Sequence, residues 1–125
     1  MLIAFLTTDL VFPSRVAGVA QQLGATMATA ASAEVLLEEL CAATSPAAIV
    51  LLDLNSSAVD PAAIVPQLKA LDHPPRVIVA FGPHVHEQKL AAAQGAGCDV
   101  VLTRGQFDAQ MQSLLKQLLQ PSDST

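Results

Sequence analysis

The sequence predicts an α/β domain built on one five-stranded parallel sheet with helices on both faces. Three observations carry that expectation. Short apolar runs alternate with longer segments of helical period, the pattern of strand–helix–strand crossovers. The strongest run, AIVLLDL at 48–54, is apolar at successive positions and not at alternate ones, so both of its faces should be covered. At 125 residues the chain has room for one domain with a core of its own.

The elements follow in order. LIAFLTT, 2–8, is the first strand. PSRVAGVAQQLG then repeats apolar residues at Val16, Val19, Ala20 and Leu23, one face of a helix. Pro13 and Ser14 suit its start and Gly24 its stop. Residues 25–31 read as a weak strand. Ser32 can cap a second helix with Val35, Leu36, Leu40 and Cys41 facing inward, closed by Pro46. After the strand at 48–54, Asp60 and Pro61 place an N-cap and a first-turn proline. The third helix should run to about Leu71, disturbed by Pro66. RVIVAFG, 76–82, is the fourth strand, HEQKLAAAQGAG a short fourth helix, and DVVLT, 99–103, the fifth strand. A last helix begins at Phe107, after a glycine hinge at Gly105, with Phe107, Met111, Leu114, Leu115 and Leu118 on one side. Right-handed crossovers favour the order 2-1-3-4-5. The folded domain should span 1–120, with 121–125 a polar, unpacked tail.

Composition narrows the function. Apolar residues make up 52% of the chain and charged residues 14%, with a net charge of -5. The few basic residues are scattered, and the aromatics are four Phe with no Trp or Tyr, so neither a phosphate-binding stripe nor a base-stacking platform is present. No nucleic-acid partner is expected. The apolar start of the chain is too short to span a membrane and has no basic flank, so a cytoplasmic, membrane-free protein is expected. Cys41 and Cys98 read as small buried thiols in a reducing compartment. No glycine-rich phosphate loop, nucleophile elbow or Cys-x-x-Cys pair occurs.

Ligands of doubly wound sheets sit beyond the carboxyl ends of the strands. Those ends carry Thr7, Thr8, Asp9, Asp53, Asn55, Gly82, Pro83, Thr103 and Arg104. On these residues the chain resembles the receiver domain of bacterial two-component response regulators, a flavodoxin-like fold. LLDLNSSAVDP resembles the phosphoacceptor segment, with Asp53 in the acceptor position and Asn55 where receivers use a backbone carbonyl as a metal ligand. TTDL stands where receivers carry two acids after the first strand, and LAAAQGAGCDVVL resembles their fourth-helix and fifth-strand segment. The departures are equally specific. Thr8 and Asp9 leave one acid of the pair. Gly82 or Phe81 falls where a hydroxyl residue is expected. Arg104-Gly105 replaces a Lys-Pro pair. The resemblance is therefore to a pseudo-receiver, the fold kept and the chemistry eroded.

For Asp53 two readings stand: candidate phosphoacceptor, or an acid that caps a loop or pairs with Arg104. Phosphoryl transfer would need Mg²⁺, for which Asp9, Asp53 and the Asn55 carbonyl are a thin oxygen set. Arg104, with Gly82 and Pro83 beside it, would face a phosphoryl group, but Arg does not replace Lys atom for atom. An Asp9–Arg104 or Asp53–Arg104 pair would instead lock the pocket without metal. His84 and His86, behind Pro83, read as a recognition loop sensitive to pH near 6.5, or as helix-start contacts; a metal there lacks a fourth ligand. Receivers pair through the fourth helix, fifth strand and fifth helix, here Glu87 to Leu119, a face rich in Ala and Gln that suits a homodimer.

The leading expectation is a receiver-like signalling module without cofactor or enzymatic activity, acting on a protein partner such as a histidine kinase. The first alternative is a stand-alone regulator phosphorylated on Asp53 with Mg²⁺. The second is a small-molecule-binding α/β module or enzyme using the strand-end cleft.

Overall fold

The computed structural model describes residues 1–43, 46–57 and 59–120. Five strands and five helices alternate: β1 (Leu2–Leu6), α1 (Phe12–Gln22), β2 (Thr26–Ala30), α2 (Ala33–Ala42), β3 (Ile49–Asp53), α3 (Pro61–Lys69), β4 (Val77–Gly82), α4 (Glu87–Ala96), β5 (Val100–Thr103) and α5 (Arg104–Leu119). The sheet order is β2-β1-β3-β4-β5 with every pair parallel, as expected. The polar tail expected at 121–125 lies outside the described residues.

The central strand explains the two-sided core. Successive side chains of a strand point to opposite faces. Val50 and Leu52, with Leu54 just beyond, pack with Leu36 and Leu40 of α2, Ile64, Val65 and Leu68 of α3, and Ala93 of α4. Ile49 and Leu51 pack on the other face with Phe12, Val16 and Ala20 of α1 and with Phe107, Met111, Leu115 and Leu119 of α5. All five residues of β3 are buried, as the unbroken apolar run requires. The four phenylalanines of the chain gather on the α1–α5 side. Phe81 and Phe107 stack at 4.4 Å, and Phe5 and Phe12 close the group at 5.6–6.3 Å.

Several local expectations are corrected. In α2, Leu36 and Leu40 point inward, but Val35 is 43% exposed and Cys41 is exposed. The inner stripe runs through Ala33, Leu36, Leu37 and Leu40, one step away from the expected face. Cys98 is only half-buried; burial, then the neighbouring Asp99, pushes its thiol up to about 11. α3 runs through Pro66 and stops at Lys69, two residues early. α5 begins at Arg104 and not at Phe107. The Thr103 hydroxyl accepts from the Gln106 N–H at 3.1 Å, and the Gln106 side chain accepts from the Thr103 N–H at 3.0 Å. This capping box starts the helix directly at the end of β5, so Gly105 is helical and not a hinge. Among the described residues no helix is long and apolar enough to cross a membrane.

Candidate functional site at the strand ends

Parallel pairing brings the ends of β1, β3 and β4 side by side. Asp53 is the last residue of β3, and β3 lies between β1 and β4. Its side chain is 3% exposed. One carboxylate oxygen accepts the Thr7 hydroxyl at 2.6 Å, and the other accepts the Asn55 N–H at 3.0 Å. Thr7, one residue past β1, is 2% exposed. Its oxygen also accepts the Asp9 N–H at 3.0 Å, so its own proton is left to point at Asp53. Thr8 turns outward, and its hydroxyl donates to that of the buried Ser56 at 3.1 Å. The sequence placed Thr7 and Thr8 at the strand ends and gave them no role beyond the acid missing there. The structure makes Thr7, not Thr8, the residue that meets Asp53.

Asp9 serves the helix that follows. One of its oxygens accepts the N–H groups of Val11 and Phe12, at 2.8 and 3.2 Å. α1 therefore begins at Phe12, with the cap supplied from Asp9 and no capping bond from the side chain at Val11. These two backbone donors hold the Asp9 carboxyl below the usual carboxylate range against a partial desolvation, with a further contribution from Arg104. Of the two ion pairs foreseen for Arg104, the one present is with Asp9, and it is loose, at 3.7 Å. The guanidinium lies over the Phe12 ring, 4.1 Å from its centroid. Such stacking suits the flat, weakly hydrated guanidinium better than a compact ammonium. Arg104 thus joins the start of α5 to the start of α1, and no Arg104–Asp53 ion pair forms among the described residues.

Gly82 ends β4, and the structure gives a reason for glycine. A Cβ there would stand 2.9 Å from the Cβ of Leu54. Leu54 fills the space over Gly82 in which a hydroxyl residue would have to sit. The Leu54 carbonyl accepts from the Lys89 ammonium at 2.9 Å. Lys89 was missed in the sequence, although it carries a signal. It is the third residue of α4, where a cation opposes the helix dipole, and such a placement calls for a tertiary reason. Pro83 closes a tight turn by accepting the His86 N–H at 2.9 Å. His84 is exposed, and His86 stands at the N-cap of α4 without a side-chain capping bond. Asn55 is exposed and touches Asp53 through its backbone N–H.

No protein-family model matches the chain, and no curated protein matches it by sequence. Solved structures do match. A two-component response regulator from Clostridium difficile superposes with a TM-score of 0.80 at 15% identity, over 99% of each chain. The receiver domain of a sensor histidine kinase from Pseudomonas aeruginosa gives 0.76 at 14% identity, over 94% of this chain and 95% of that one. A response regulator receiver protein from Burkholderia phymatum gives 0.74 at 15% identity, over 94% of each. The fold is that of a response-regulator receiver domain.

Within the receiver fold, a metal is the natural question. The Pseudomonas aeruginosa domain has a magnesium ion coordinated in its active-site cleft. Here the donors at the strand ends are engaged with one another. Both oxygens of Asp53 accept hydrogen bonds, one oxygen of Asp9 caps α1 and the other faces Arg104, and the remaining side chains are the hydroxyls of Thr8 and Ser56. Among the described residues no three His, Cys, Asp or Glu side chains group closely enough to hold a metal ion. Mg²⁺ demands near-octahedral oxygen ligation, and this arrangement presents it with no open carboxylate pair. As arranged, the site offers the ion only a thin set, with each carboxylate already holding another partner.

Proposed function

We propose that this chain is a receiver-like signalling module that works by protein–protein contact and does not carry phosphate on Asp53. The Asp53 carboxylate carries the reading, because it is buried and holds a hydrogen bond on each oxygen. A carboxylate nucleophile must meet phosphorus in line, with the charge of the transferring group neutralised by metal and cation. To do so Asp53 would have to give up the Thr7 hydroxyl and admit an anion into a closed space. The nearby cations are committed elsewhere, Arg104 to Phe12 and Asp9, Lys89 to the Leu54 carbonyl.

Two surfaces support a contact role. The loops beyond β1 and β4 expose large apolar side chains: Leu10 is 94% exposed, Val11 73% and Val85 69%. These loops leave the same edge of the sheet that carries Asp53. A groove between α4 and α5 over β5 is lined by Leu90, Ala91, Val101 and Leu102 with amide edges from Gln94 and Gln106, and it carries one carboxylate, Glu87, beside Thr103 at its end. A signalling partner such as a histidine kinase, or a second copy of the chain, suits such surfaces better than a small ligand does.

The test is intact mass after incubation with Mg²⁺ and a small-molecule phosphodonor, with Asp53→Asn as control. No adduct on the folded protein is expected. An adduct present in the wild type and lost in the control would establish the opposite reading, a regulator phosphorylated on Asp53.

A further inference from the structure

α4 buries fewer side chains than any other helix, although its small residues bring its backbone close to α3, β4 and β5. Its one buried residue is Ala93, with Leu90 and Ala96 half-buried beside it. That close approach sets where the helix lies, but few side chains lock its first turn, since helix propensity alone does not hold ten residues. Its start has little local support. His86 makes no capping bond there, and the Nδ1 of His86 is buried with no hydrogen-bond partner among the described residues. Lys89 sits in the first turn against the helix dipole, offset in part by Glu87.

The Lys89 contact reaches the most firmly fixed part of the sheet. Leu54 is fully buried, and its N–H donates to the Phe81 carbonyl at 2.8 Å. Its side chain rests on Gly82 with no room for another carbon. Its carbonyl takes the Lys89 ammonium, a charge-assisted bond of the stronger class. One residue earlier, the Asp53 side chain is held by Thr7. Residues 53 and 54 therefore join β1, β4 and α4 at one point.

We propose that Lys89 is a positioning residue: its bond to the Leu54 carbonyl tethers the start of α4 to the carboxyl end of β3 and so sets the α4 wall of the α4–β5–α5 groove. The tether stands whether or not Asp53 takes phosphate, so the mass test above and the test below fail independently. Hydrogen exchange followed by mass spectrometry on the full chain reads it directly. Lys89→Met keeps the apolar stem and removes the donor; Lys89→Arg keeps a cationic donor. Lys89→Met should speed exchange in 87–96 by about tenfold, the scale of one lost charged hydrogen bond, and leave 104–119 as in the wild type. Lys89→Arg should stay close to the wild type. Unchanged exchange in 87–96, an equal rise in 104–119, or Lys89→Arg behaving as Lys89→Met would each overturn the tether.

Discussion

α4 and α5 flank the same edge strand and are held in opposite ways. α5 has 16 residues, a complete capping box and four buried side chains, one of them stacked on Phe81. α4 has 10 residues, one buried alanine and a lysine reaching a backbone carbonyl. Packing fixes the first through many non-directional contacts that no single change abolishes. The second lies close to α3, β4 and β5 through small residues, and one polar contact holds its start. The strand ends repeat the contrast, with Phe12, Phe81 and Phe107 packed on the α1–α5 side and hydrogen bonds holding Thr7, Asp53 and Leu54.

The largest expected effect breaks the packed side of that comparison. Phe107→Ala removes a fully buried ring from the aromatic group and should cost about 3–5 kcal/mol, read as a shift of the chemical denaturation midpoint. Next comes the hydrogen-bonded side. Thr7→Val keeps the shape but leaves a buried oxygen of Asp53 without its donor, and should cost about 1–3 kcal/mol in the same measurement. A cost below that of an exposed threonine such as Thr26 would mean that the bond does not hold the site.

How far the sequence revealed these features depended on what each signal rests on. Alternating runs and β3's unbroken apolar stretch are properties of the chain itself, so strand order and the two-faced core followed from them. Asp53 was legible because it ends that run. Thr7 was not, because a threonine beside a strand is ordinary and its role appears only when β1 and β3 are set side by side. Val35 and Cys41 were misplaced by one helical step, since α2 has enough apolar residues for two neighbouring stripes. The start of α5 was missed because Gly105 suggested a hinge, while Thr103 and Gln106 at capping-box spacing were already present. Lys89 was legible only as an oddity, a cation at the wrong end of a helix.

The smallest effect concerns Asp9. Its carboxyl is held low by the Val11 and Phe12 N–H groups. A lowered folded value means that its contribution is fully present above the unfolded value of 3.8 and is lost as pH falls below that and through the folded value. Asp9→Asn should therefore flatten the stability profile in the acid range and leave its slope near neutrality unchanged, read by thermal unfolding across pH. An unaltered acid slope would remove Asp9 as the cap of α1.

The central claim is that the Asp53 carboxylate is held in place by Thr7 and Asn55 and does not recruit a cation. Thermal unfolding in rising Mg²⁺ tests it most directly, because an ion bound only by the folded state must stabilise it, by about 2.7 kcal/mol at a hundred times its dissociation constant. The account predicts no saturable rise in Tm, and the same curve for wild type and Asp53→Asn. A saturable rise in the wild type that Asp53→Asn abolishes would contradict it.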